Sequence, residues 1–442
     1  MALEELSHVS GTHRLTALLL LSAASIIVSS LAGELGGIYV GVSLLLLAAA
    51  MRGYAALAAL ALSRTDALYT VRGNTAGEKL EVSIVLRNSS LVPIAFAELA
   101  LMYSPSLRML EGARAATAVL PPRGTVEYRV AFLGRTGRHR VGPLVAVVRD
   151  PLGLFRSTSI TVAEPLDLRV VPRAERVRVR RLWVETRSTG ITRAGEAGTG
   201  VEFYDVREYR PGDDIRRIVW RHLASSGKLT VRETEREAYQ SVAFVVDASP
   251  AMFMGLYGAT PFEHAARVVA SIAAYLASRG DLVSLVVAGD KYTAAAPLAR
   301  GRQAYMNTLK LLSDVPFEHE AGSGGSGLAK ATTLLATMLP RERNLVFIFT
   351  SLREGAEHVE DLVEKLKRLG NEVYVAVPIT TAYEVKGLPQ WAQAVYRVKT
   401  FEQTRAELEA ARRLRGKGVN VIALGPELLP QRIVAIIESR RA

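Results

Sequence analysis

Two long apolar runs dominate the N-terminal part of the chain. Residues 15–31 carry no charged side chain, and a second run over residues 36–51 resumes beyond Arg52 as far as Leu62. A helix that spans a bilayer needs about 20 consecutive apolar residues. The pattern therefore predicts a membrane anchor of two transmembrane helices over residues 1–65. A cleaved signal peptide would explain the first run alone, but not the second run that follows at once.

Short alternating runs replace the long apolar ones between residues 66 and 173. Apolar and polar positions alternate there over stretches separated by Gly, Pro and Asn. This alternation is the period of strands that bury one face. About seven such strands in a segment of this length predict an antiparallel β-sandwich. His139 stands alone in this region and is expected to be structural.

The C-terminal pattern, residues 241–442, alternates continuous apolar runs with amphipathic ones. It predicts a parallel sheet covered on both faces by helices, a doubly wound α/β domain, so the chain is a multidomain protein. Residues 174–240 lie between the two predicted domains as a basic linker and a signature segment. Ligands bind such sheets beyond the carboxyl ends of the strands. The loops after Val246, at residues 322–327 and after Thr350 are therefore the places to expect a site.

The distribution of charge orients the predicted anchor. Only Glu34 lies in the loop between the two apolar runs, whereas Arg14, Arg52 and Arg64 flank them. Because positively charged flanks stay in the cytoplasm, both ends of the hairpin and the bulk of the chain are predicted to lie there. The expected localisation is the cell membrane, with a multi-pass anchor.

An excess of positive charge suggests an anionic partner. Lys and Arg number 55 against 43 Asp and Glu, a formal net charge of +12. With a predicted membrane anchor, anionic lipid is the simplest partner for these cations. Nucleic acid is not expected, because the densest arginine cluster, residues 169–187, lacks an interleaved series of aromatic side chains to stack on bases.

Composition and motif spacing favour a protein without chemistry of its own. The absence of cysteine excludes disulfides, thiolate metal sites and thiol nucleophiles. The chain shows no zinc-type histidine spacing and no serine nucleophile elbow, and Lys330 stands three residues beyond Gly327, too far for a phosphate loop. No enzyme activity is therefore expected. Six Asn and six Gln beside abundant Arg and Glu suggest a thermophilic source.

The loop after the first strand of the C-terminal region resembles that of von Willebrand factor A domains. It reads Asp-Ala-Ser-Pro-Ala over residues 247–251, and the resemblance covers residues 241–442. In that family a D-x-S-x-S loop, a threonine and an aspartate surround a divalent cation that a partner's carboxylate completes. The corresponding residues of this chain are Asp247, Ser249, Ser326 and Ser351.

The resemblance is incomplete at the metal-binding positions. Ala251 has no oxygen where the family has its second serine, and Ser351 replaces the aspartate. One carboxylate with a few hydroxyls should hold Mg²⁺ weakly. Two interpretations stay open: Asp247 and Ser249 cap the following turn through backbone amides, or they belong to a divalent-metal-dependent enzyme that uses Mg²⁺ or Mn²⁺.

A charged and aromatic stretch precedes the C-terminal region. Residues 200–221 read GVEFYDVREYRPGDDIRRIVWR. Asp214 is placed to cap a short helix that Gly227 ends, and residues 228–233 are predicted to form a strand. The apolar side of this helix, expected to pack against the next domain, comprises Ile215, Ile218, Val219 and Leu223. The expected ion pairs join Arg216, Arg217 and Arg221 to Asp213, Glu208 and Glu233.

The same stretch carries the most specific resemblance in the chain. Together with RDPLGLF at residues 149–155 and GRHRVGP at residues 137–143, it looks like the hallmark of the prokaryotic membrane-protein family called domain of unknown function 58. That family has no established chemistry, and its members are often linked with MoxR-type AAA+ ATPases. The resemblance implies an adaptor or scaffold that works with such an ATPase in the assembly or activation of other proteins.

Within this resemblance the von Willebrand A-like domain would be the partner-binding module. The signature residues would form either a structural brace, which we favour, or a second docking surface. These residues are Glu202, Arg207, Glu208, Tyr209, Pro211, Gly212, Asp213, Asp214, Trp220 and Arg221.

Overall fold

The computed structural model describes most of the chain: residues 9–175, 177, 197–235, 240–253, 258, 260–289, 292–316, 326–340, 344–352, 356–378, 389–424 and 429–440. Much of the arginine cluster and most of the glycine-rich stretch before Lys330 lie outside these residues.

The two apolar runs form antiparallel helices, α1 (His13–Ala32) and α2 (Leu35–Ser63). Both helices are long and apolar enough to cross a membrane. Gly33 joins them with φ at 70°, a left-handed conformation that glycine adopts without strain. The large apolar side chains of α1, such as Leu20 and Leu31, point outward and are exposed.

Small residues line the contact between the two helices. The hydroxyl of Ser25 donates to the carbonyl of Gly37 at 2.8 Å, and that of Ser22 donates to the carbonyl of Gly41 at 2.7 Å. A Cβ atom on Gly41 would lie only 2.4 Å from the side chain of Ile26. Glycine therefore permits the close approach, as small residues commonly do between membrane helices.

The second half of α2 leaves the hairpin and packs on strands. Ala55 and Ala58 are fully buried, and Leu62 is nearly so. Ala58 and Leu62 belong to the hydrophobic core of the strand-rich part. The apolar residues of α2 thus lie in two different surroundings: the first half belongs to an exposed hairpin, and the second half to a protein core.

Eleven strands are found in residues 9–175, a range that the structure describes without a gap. They are β1 (Val9–Gly11), β2 (Asp66–Arg72), β3 (Lys79–Arg87), β4 (Ile94–Tyr103), β5 (Arg108–Glu111), β6 (Ala115–Leu120), β7 (Thr125–Leu133), β8 (Gly137–Arg149), β9 (Phe155–Ser157), β10 (Ile160–Ala163) and β11 (Leu166–Val170). One antiparallel sheet has the order β1-β9-β8-β4-β6, with β10 and β11 also paired to β8. A second has the order β2-β3-β7-β5.

The two sheets share one hydrophobic core. In β3, Leu80, Val82 and Ile84 are buried and alternate with more exposed residues. Leu99 of β4, in the other sheet, belongs to the same cluster of buried side chains. The alternation read from the sequence thus marks the inward face of these strands, since successive side chains point to opposite faces.

The signature stretch forms a separate hairpin. β12 (Ala197–Glu208) pairs antiparallel with β13 (Thr230–Glu235). A 3-10 helix (Ile215–Arg217) and a short helix, α3 (Trp220–Ser226), lie between them.

The C-terminal part combines six strands with seven helices in the described residues from 240 onward. The strands are β14 (Ser241–Asp247), β15 (Leu282–Ala288), β16 (Thr293–Arg300), β17 (Leu345–Phe349), β18 (Glu372–Pro378) and β19 (Asn420–Leu424). The helices are α4 (Pro250–Phe253), α5 (Pro261–Arg279), α6 (Gly301–Ser313), α7 (Ser326–Met338), α8 (Ala356–Arg368), α9 (Gln390–Gly416) and α10 (Leu429–Ser439).

These strands form one sheet in the order β16-β15-β14-β17-β18-β19, parallel throughout except for β16. β16 was not predicted from the sequence, because its residues TAAAPLAR lack the bulky side chains that mark the other strands. A strand at the sheet edge needs less apolar surface than a central one and tolerates a proline.

Buried side chains lie on both faces of this sheet. One cluster joins the strands to α5, α6 and α10, and a second joins them to α7, α8 and α9. The coarse expectation of two apolar N-terminal helices followed by a body rich in sheet is confirmed.

The strand-rich part and the C-terminal part are joined by a buried ion pair. Arg135, between β7 and β8, lies 3.2 Å from Glu263 in the first turn of α5, and both side chains are about 5% exposed. Close by, the amide of Arg138 donates to the carbonyl of Val315 at 2.8 Å. Glu263 also closes a capping box with Thr260, so the start of α5 is held from both sides.

Further contacts extend this joint. Arg169, the first member of the arginine cluster, lies 2.6 Å from Asp314. The amide of Glu175, beyond the last strand of the strand-rich part, donates to the hydroxyl of Ser271 at 2.9 Å. At least one of the clustered arginines is therefore an ion-pair partner within the protein.

Candidate functional site

The chain order of the six-stranded sheet reverses at β14, which lies between β15 and β17. At such a reversal the loops after the neighbouring strands diverge and leave a crevice. β14 ends at Asp247, and β17 is followed directly by Thr350. Because Val246 pairs with Phe349, Asp247 and Thr350 leave the sheet side by side.

The carboxylate of Asp247 is buried and accepts three hydrogen bonds from Ser249 and Thr350. Oδ1 accepts the amide of Ser249 at 2.8 Å, and Oδ2 accepts the hydroxyls of Ser249 at 3.1 Å and Thr350 at 2.8 Å. The bonds from Ser249 are those of the capping interpretation. Thr350 was not among the predicted site residues, although its place directly after an apolar strand was a usable signal.

The other predicted metal-binding residues lie at the same edge of the sheet. Ser351 is buried, and its hydroxyl has no hydrogen-bond partner in the part of the chain that the structure describes. Ser326 begins α7, and its side chain lies outside the described residues. A Cβ atom on Gly327 would lie 2.8 Å from the backbone of Gly289, so the start of α7 packs closely on the loop after β15.

The four predicted residues offer too few ligands for a resident divalent cation. Mg²⁺ takes about six oxygen ligands in near-octahedral array. Of the four predicted residues only Asp247 has a carboxylate, and both of its oxygens already accept hydrogen bonds from the protein. No group of three or more His, Cys, Asp or Glu side chains placed to hold a metal ion is found in the described ranges. The donors at Asp247 therefore do not fit such a cation.

The signature stretch is organised around Asp213. Its two carboxylate oxygens accept hydrogen bonds from both terminal nitrogens of Arg207, at 2.6 and 2.8 Å. One of them also accepts a hydrogen bond from the amide of Arg210 at 2.8 Å. Forked pairs of this kind fix geometry as well as adding attraction. The hydrogen bond from Arg207 lowers the pKa of Asp213 to about 2. Pro211 and Gly212 form the turn, with Gly212 at φ 108°, which requires glycine.

The predicted helix after this turn is present but broken in two. Oδ1 of Asp214 accepts the amide of Arg216 at 3.0 Å, so the predicted cap is confirmed. Gly227 ends α3 with φ at 69°, as expected of a helix terminator. The break lies at Val219, whose amide donates to the carbonyl of Thr230 at 2.9 Å. A strand-type bond to the neighbouring hairpin strand replaces the helical bond there.

Two details of the predicted packing are wrong. Ile215, assigned to a buried side, is 64% exposed, and Trp220 beside it is 59% exposed. Asp213 pairs with Arg207, an arginine outside the predicted network. A residue six positions earlier reaches Asp213 because the turn folds the chain back, which a helical spacing argument does not anticipate.

The remaining signature residues lie on the same hairpin. Glu202 lies in β12, and its side chain is outside the described residues. Glu208 and Arg221 are exposed, Tyr209 is partly exposed, and Glu208 lies 4.0 Å from Lys228. The signature residues thus lie on one hairpin, which is separate in the chain from Asp247.

Comparison with known proteins supports the family resemblance. Residues 205–415 match the family described as protein of unknown function DUF58, so the resemblance drawn from the sequence is confirmed over this segment. The match begins in β12 and ends in α9. It therefore includes both the signature hairpin and most of the six-stranded sheet.

Solved structures with some likeness match just under half of the chain. The chain is 16% identical to the SpRpn10 VWA domain, covering 45% of this chain and 94% of that one with a TM-score of 0.28. It is 14% identical to the conserved hypothetical protein BatB from Bacteroides thetaiotaomicron, covering 45% of this chain and 99% of that one with a TM-score of 0.25. No curated protein matches the chain.

Proposed function

We propose that this chain is a membrane-anchored, cytoplasm-facing adaptor that works with a MoxR-type AAA+ ATPase in the assembly or activation of other proteins. It carries out no chemistry itself. The observation that carries the proposal is an exposed apolar pair, Ile215 and Trp220, on the hairpin that contains the family signature.

The hairpin has the contacts expected of a docking surface. Among the described residues, those at 208–229 make their hydrogen bonds and ion pairs within residues 205–235. A structural brace would bond to the neighbouring sheet instead. We therefore prefer the docking role for this segment over the brace favoured from the sequence.

The chemistry of the surface indicates an acidic partner with an apolar pocket. Arg216, Arg217 and Arg221, which neighbour Ile215 and Trp220 in the sequence, are also exposed. Trp and Arg are the residues that most often contribute strongly to binding at protein interfaces. Such cations favour approach by a negatively charged partner. Binding should accordingly weaken as ionic strength rises.

The architecture supplies the anchor and the second binding module. The two antiparallel sheets with a shared core support a β-sandwich, and the strand order with helices on both faces supports a doubly wound, von Willebrand A-like module. The α1–α2 hairpin would hold both at the membrane, with Arg14 and Arg52 on anionic lipid.

Purified components test the proposal directly. The full chain in lipid nanodiscs is titrated with a purified MoxR-type ATPase in the presence and absence of ATP. Trp220→Ala is expected to weaken binding at least about tenfold, since an anchor residue of this kind contributes about 2 kcal/mol or more. Trp391→Ala is the matched control, because Trp391 is also exposed, at 76%, but lies on α9.

Two results would contradict the proposal. Equal losses for Trp220→Ala and Trp391→Ala would remove the docking role of the hairpin. Absence of ATPase binding to the unaltered chain under all nucleotide conditions would remove the adaptor function itself.

A further inference from the structure

The RDPLGLF segment is tied to the N-terminal end of the helical hairpin. The amide of Thr12 donates to the carbonyl of Leu154 at 2.8 Å, and its hydroxyl donates to the carbonyl of Gly153 at 2.6 Å. The guanidinium of Arg14 donates to the carbonyl of Leu152 at 3.3 Å. β1 also pairs with β9, immediately after the segment. The start of α1 is therefore held by this turn.

Asp150 gives the turn its shape. Its carboxylate is buried and accepts the amides of Leu152 at 2.9 Å and Phe155 at 2.5 Å. Gly153 adopts φ 70°, which a side chain would strain. Side-chain bonds of this kind hold aspartate turns in one conformation. The position of each side chain in the turn is accordingly well defined.

The turn separates its apolar side chains into two groups. Leu154 and Phe155 are buried in a cluster with Ala55 of α2. Leu152 is not a member of this cluster and is 43% exposed. Packing of the domain therefore explains why positions 154 and 155 are apolar. It does not explain the apolar side chain of Leu152.

The alignment of α1 with α2 indicates how deep the turn at residues 150–155 lies relative to the bilayer. Ser25 bonds to Gly37 and Ser22 bonds to Gly41, so each step toward the start of α1 is a step toward the end of α2. Because both helices rise equally per residue, the same register places Arg14 opposite residues 48 and 49, about one helical turn from Arg52. A helix of 20 residues is about 30 Å long, which equals the thickness of the bilayer's hydrocarbon core.

The two arginines and a tyrosine mark the cytoplasmic interface at this level. Tyr54 follows Arg52 by two residues on α2, and its hydroxyl bonds to the backbone of Pro93 and Ala95 in the strand-rich part. Lys, Arg and Tyr are the residues that commonly anchor helices at the headgroup level. Because Arg14 contacts the carbonyl of Leu152, the turn lies at the same depth.

We propose that the turn at residues 150–155 contacts the bilayer, with the side chain of Leu152 inserted among the lipid headgroups and upper acyl chains. The ligand is the lipid surface itself, continuous with the apolar surface of the hairpin. The contact would fix the angle at which the strand-rich part is held below the membrane. The inference depends on the proposed membrane anchoring.

Lipid quenching of a single fluorescent label tests the contact. The chain has no cysteine, so Leu152→Cys can be labelled at one position with an environment-sensitive dye and reconstituted in nanodiscs with ordinary or brominated lipid. Leu20→Cys, on the exposed side of α1, is the positive control. Leu110→Cys is the matched negative control, because Leu110 is 46% exposed but lies on β5, toward the end of the sheets that joins the C-terminal part.

Three patterns of quenching separate the possibilities. Quenching at positions 152 and 20, but not at 110, supports the contact. Quenching at position 20 alone overturns it and leaves the anchoring intact. No quenching at position 20 overturns the anchoring and the contact together.

A second measurement guards against an effect of the dye. A water-soluble maleimide should modify Leu152→Cys several-fold more slowly than Leu110→Cys in lipid nanodiscs, although the two native side chains are almost equally exposed in the protein. Equal rates would show that position 152 faces water, and the proposed contact would be wrong.

Discussion

Two arginine–carboxylate pairs of this chain have the same chemistry and opposite surroundings. Arg135 and Glu263 are 6% and 5% exposed and lie 128 residues apart. Arg207 and Asp213 are 36% and 18% exposed and lie six residues apart. The first pair joins two parts of the protein, whereas the second closes a turn on its surface.

The difference shows how burial changes what an ion pair does. A buried pair gains attraction but loses hydration, so its net contribution is small while the removal of one partner alone is costly. An exposed pair is screened by water and contributes little in either case. The buried pair therefore acts against wrong placement of the two parts, and the exposed pair shapes a surface that a partner can recognise.

The largest expected effect comes from breaking the buried pair. Glu263→Gln keeps a side chain suited to the capping box but removes the carboxylate that pairs with the buried Arg135 charge. We expect the free energy of unfolding to fall by about 3–5 kcal/mol, measured by denaturant unfolding of the full chain in detergent micelles. The double variant Arg135→Met with Glu263→Leu should recover much of the loss. A single variant as stable as the unaltered chain would contradict the structural joint.

Acidification tests the surroundings of the same pair. Burial lowers the pKa of His139 to about 4 and that of His264 to about 3. The Nε2–H of His139 donates to the carbonyl of Arg135, and His264 follows Glu263 in the sequence. In the unfolded chain each imidazole has its ordinary pKa near 6.5. Between pH 6.5 and 4 the unfolded state therefore binds more protons, and stability falls as the pH falls.

The size of this acid effect is about 3 kcal/mol for His139, from about 1.4 kcal/mol for each unit of pKa difference. Thermal unfolding of the chain across this pH range measures it, and His139→Gln should flatten part of the slope. A stability that is constant between pH 6.5 and 4 would show that folding does not lower the pKa of either imidazole.

Asp247 gives an intermediate case, a buried carboxylate paired with hydroxyls and an amide. Asp247→Asn removes the charge from three hydrogen bonds and should reduce stability by about 1.5–3 kcal/mol. Thr350→Val, which removes one of those donors at nearly constant shape, should cost less. Unfolding measurements on both variants give the comparison, and a greater loss for Thr350→Val would contradict the bonding seen at this edge.

Asp247→Asn also tests the alternative that the chain is a divalent-metal-dependent enzyme. Because the donors at Asp247 do not fit a resident cation, millimolar Mg²⁺ or Mn²⁺ should not raise the melting temperature of the unaltered chain. A rise that Asp247→Asn abolishes would instead establish metal binding by the predicted loop.

The smallest effect on stability is expected at the exposed pair. Asp213→Asn should leave the melting temperature within the scatter of the measurement, because water and salt screen the pair. Binding of the ATPase should nevertheless weaken, since the turn that presents Trp220 loses its forked contact with Arg207. Arg207→Lys, which keeps the charge but not the fork, should weaken binding similarly. A large loss of stability would show that the hairpin braces the fold.

Local patterns along the chain predicted a good part of this structure. The apolar runs marked α1 and α2, the alternation in β3 marked its inward face, and Asp214 and Gly227 marked the limits of the helical segment. These features depend on neighbours within a few residues, where spacing and side-chain type decide the outcome. The family resemblance at residues 200–221 likewise rested on a short continuous stretch of sequence.

The sequence by itself determined most of the helices and strands, although not β16 with its small side chains. It also determined which chemistry is available, since a chain without cysteine and with scattered histidines offers few alternatives. Only the tertiary structure decided that Thr350 bonds to Asp247, that Arg135 meets Glu263 across the joint, and that Trp220 and Ile215 stay exposed. These pairings join residues far apart in the chain or depend on what the folded surface leaves uncovered. No spacing rule reports them, because their energy comes from burial and desolvation that exist only after the chain has folded.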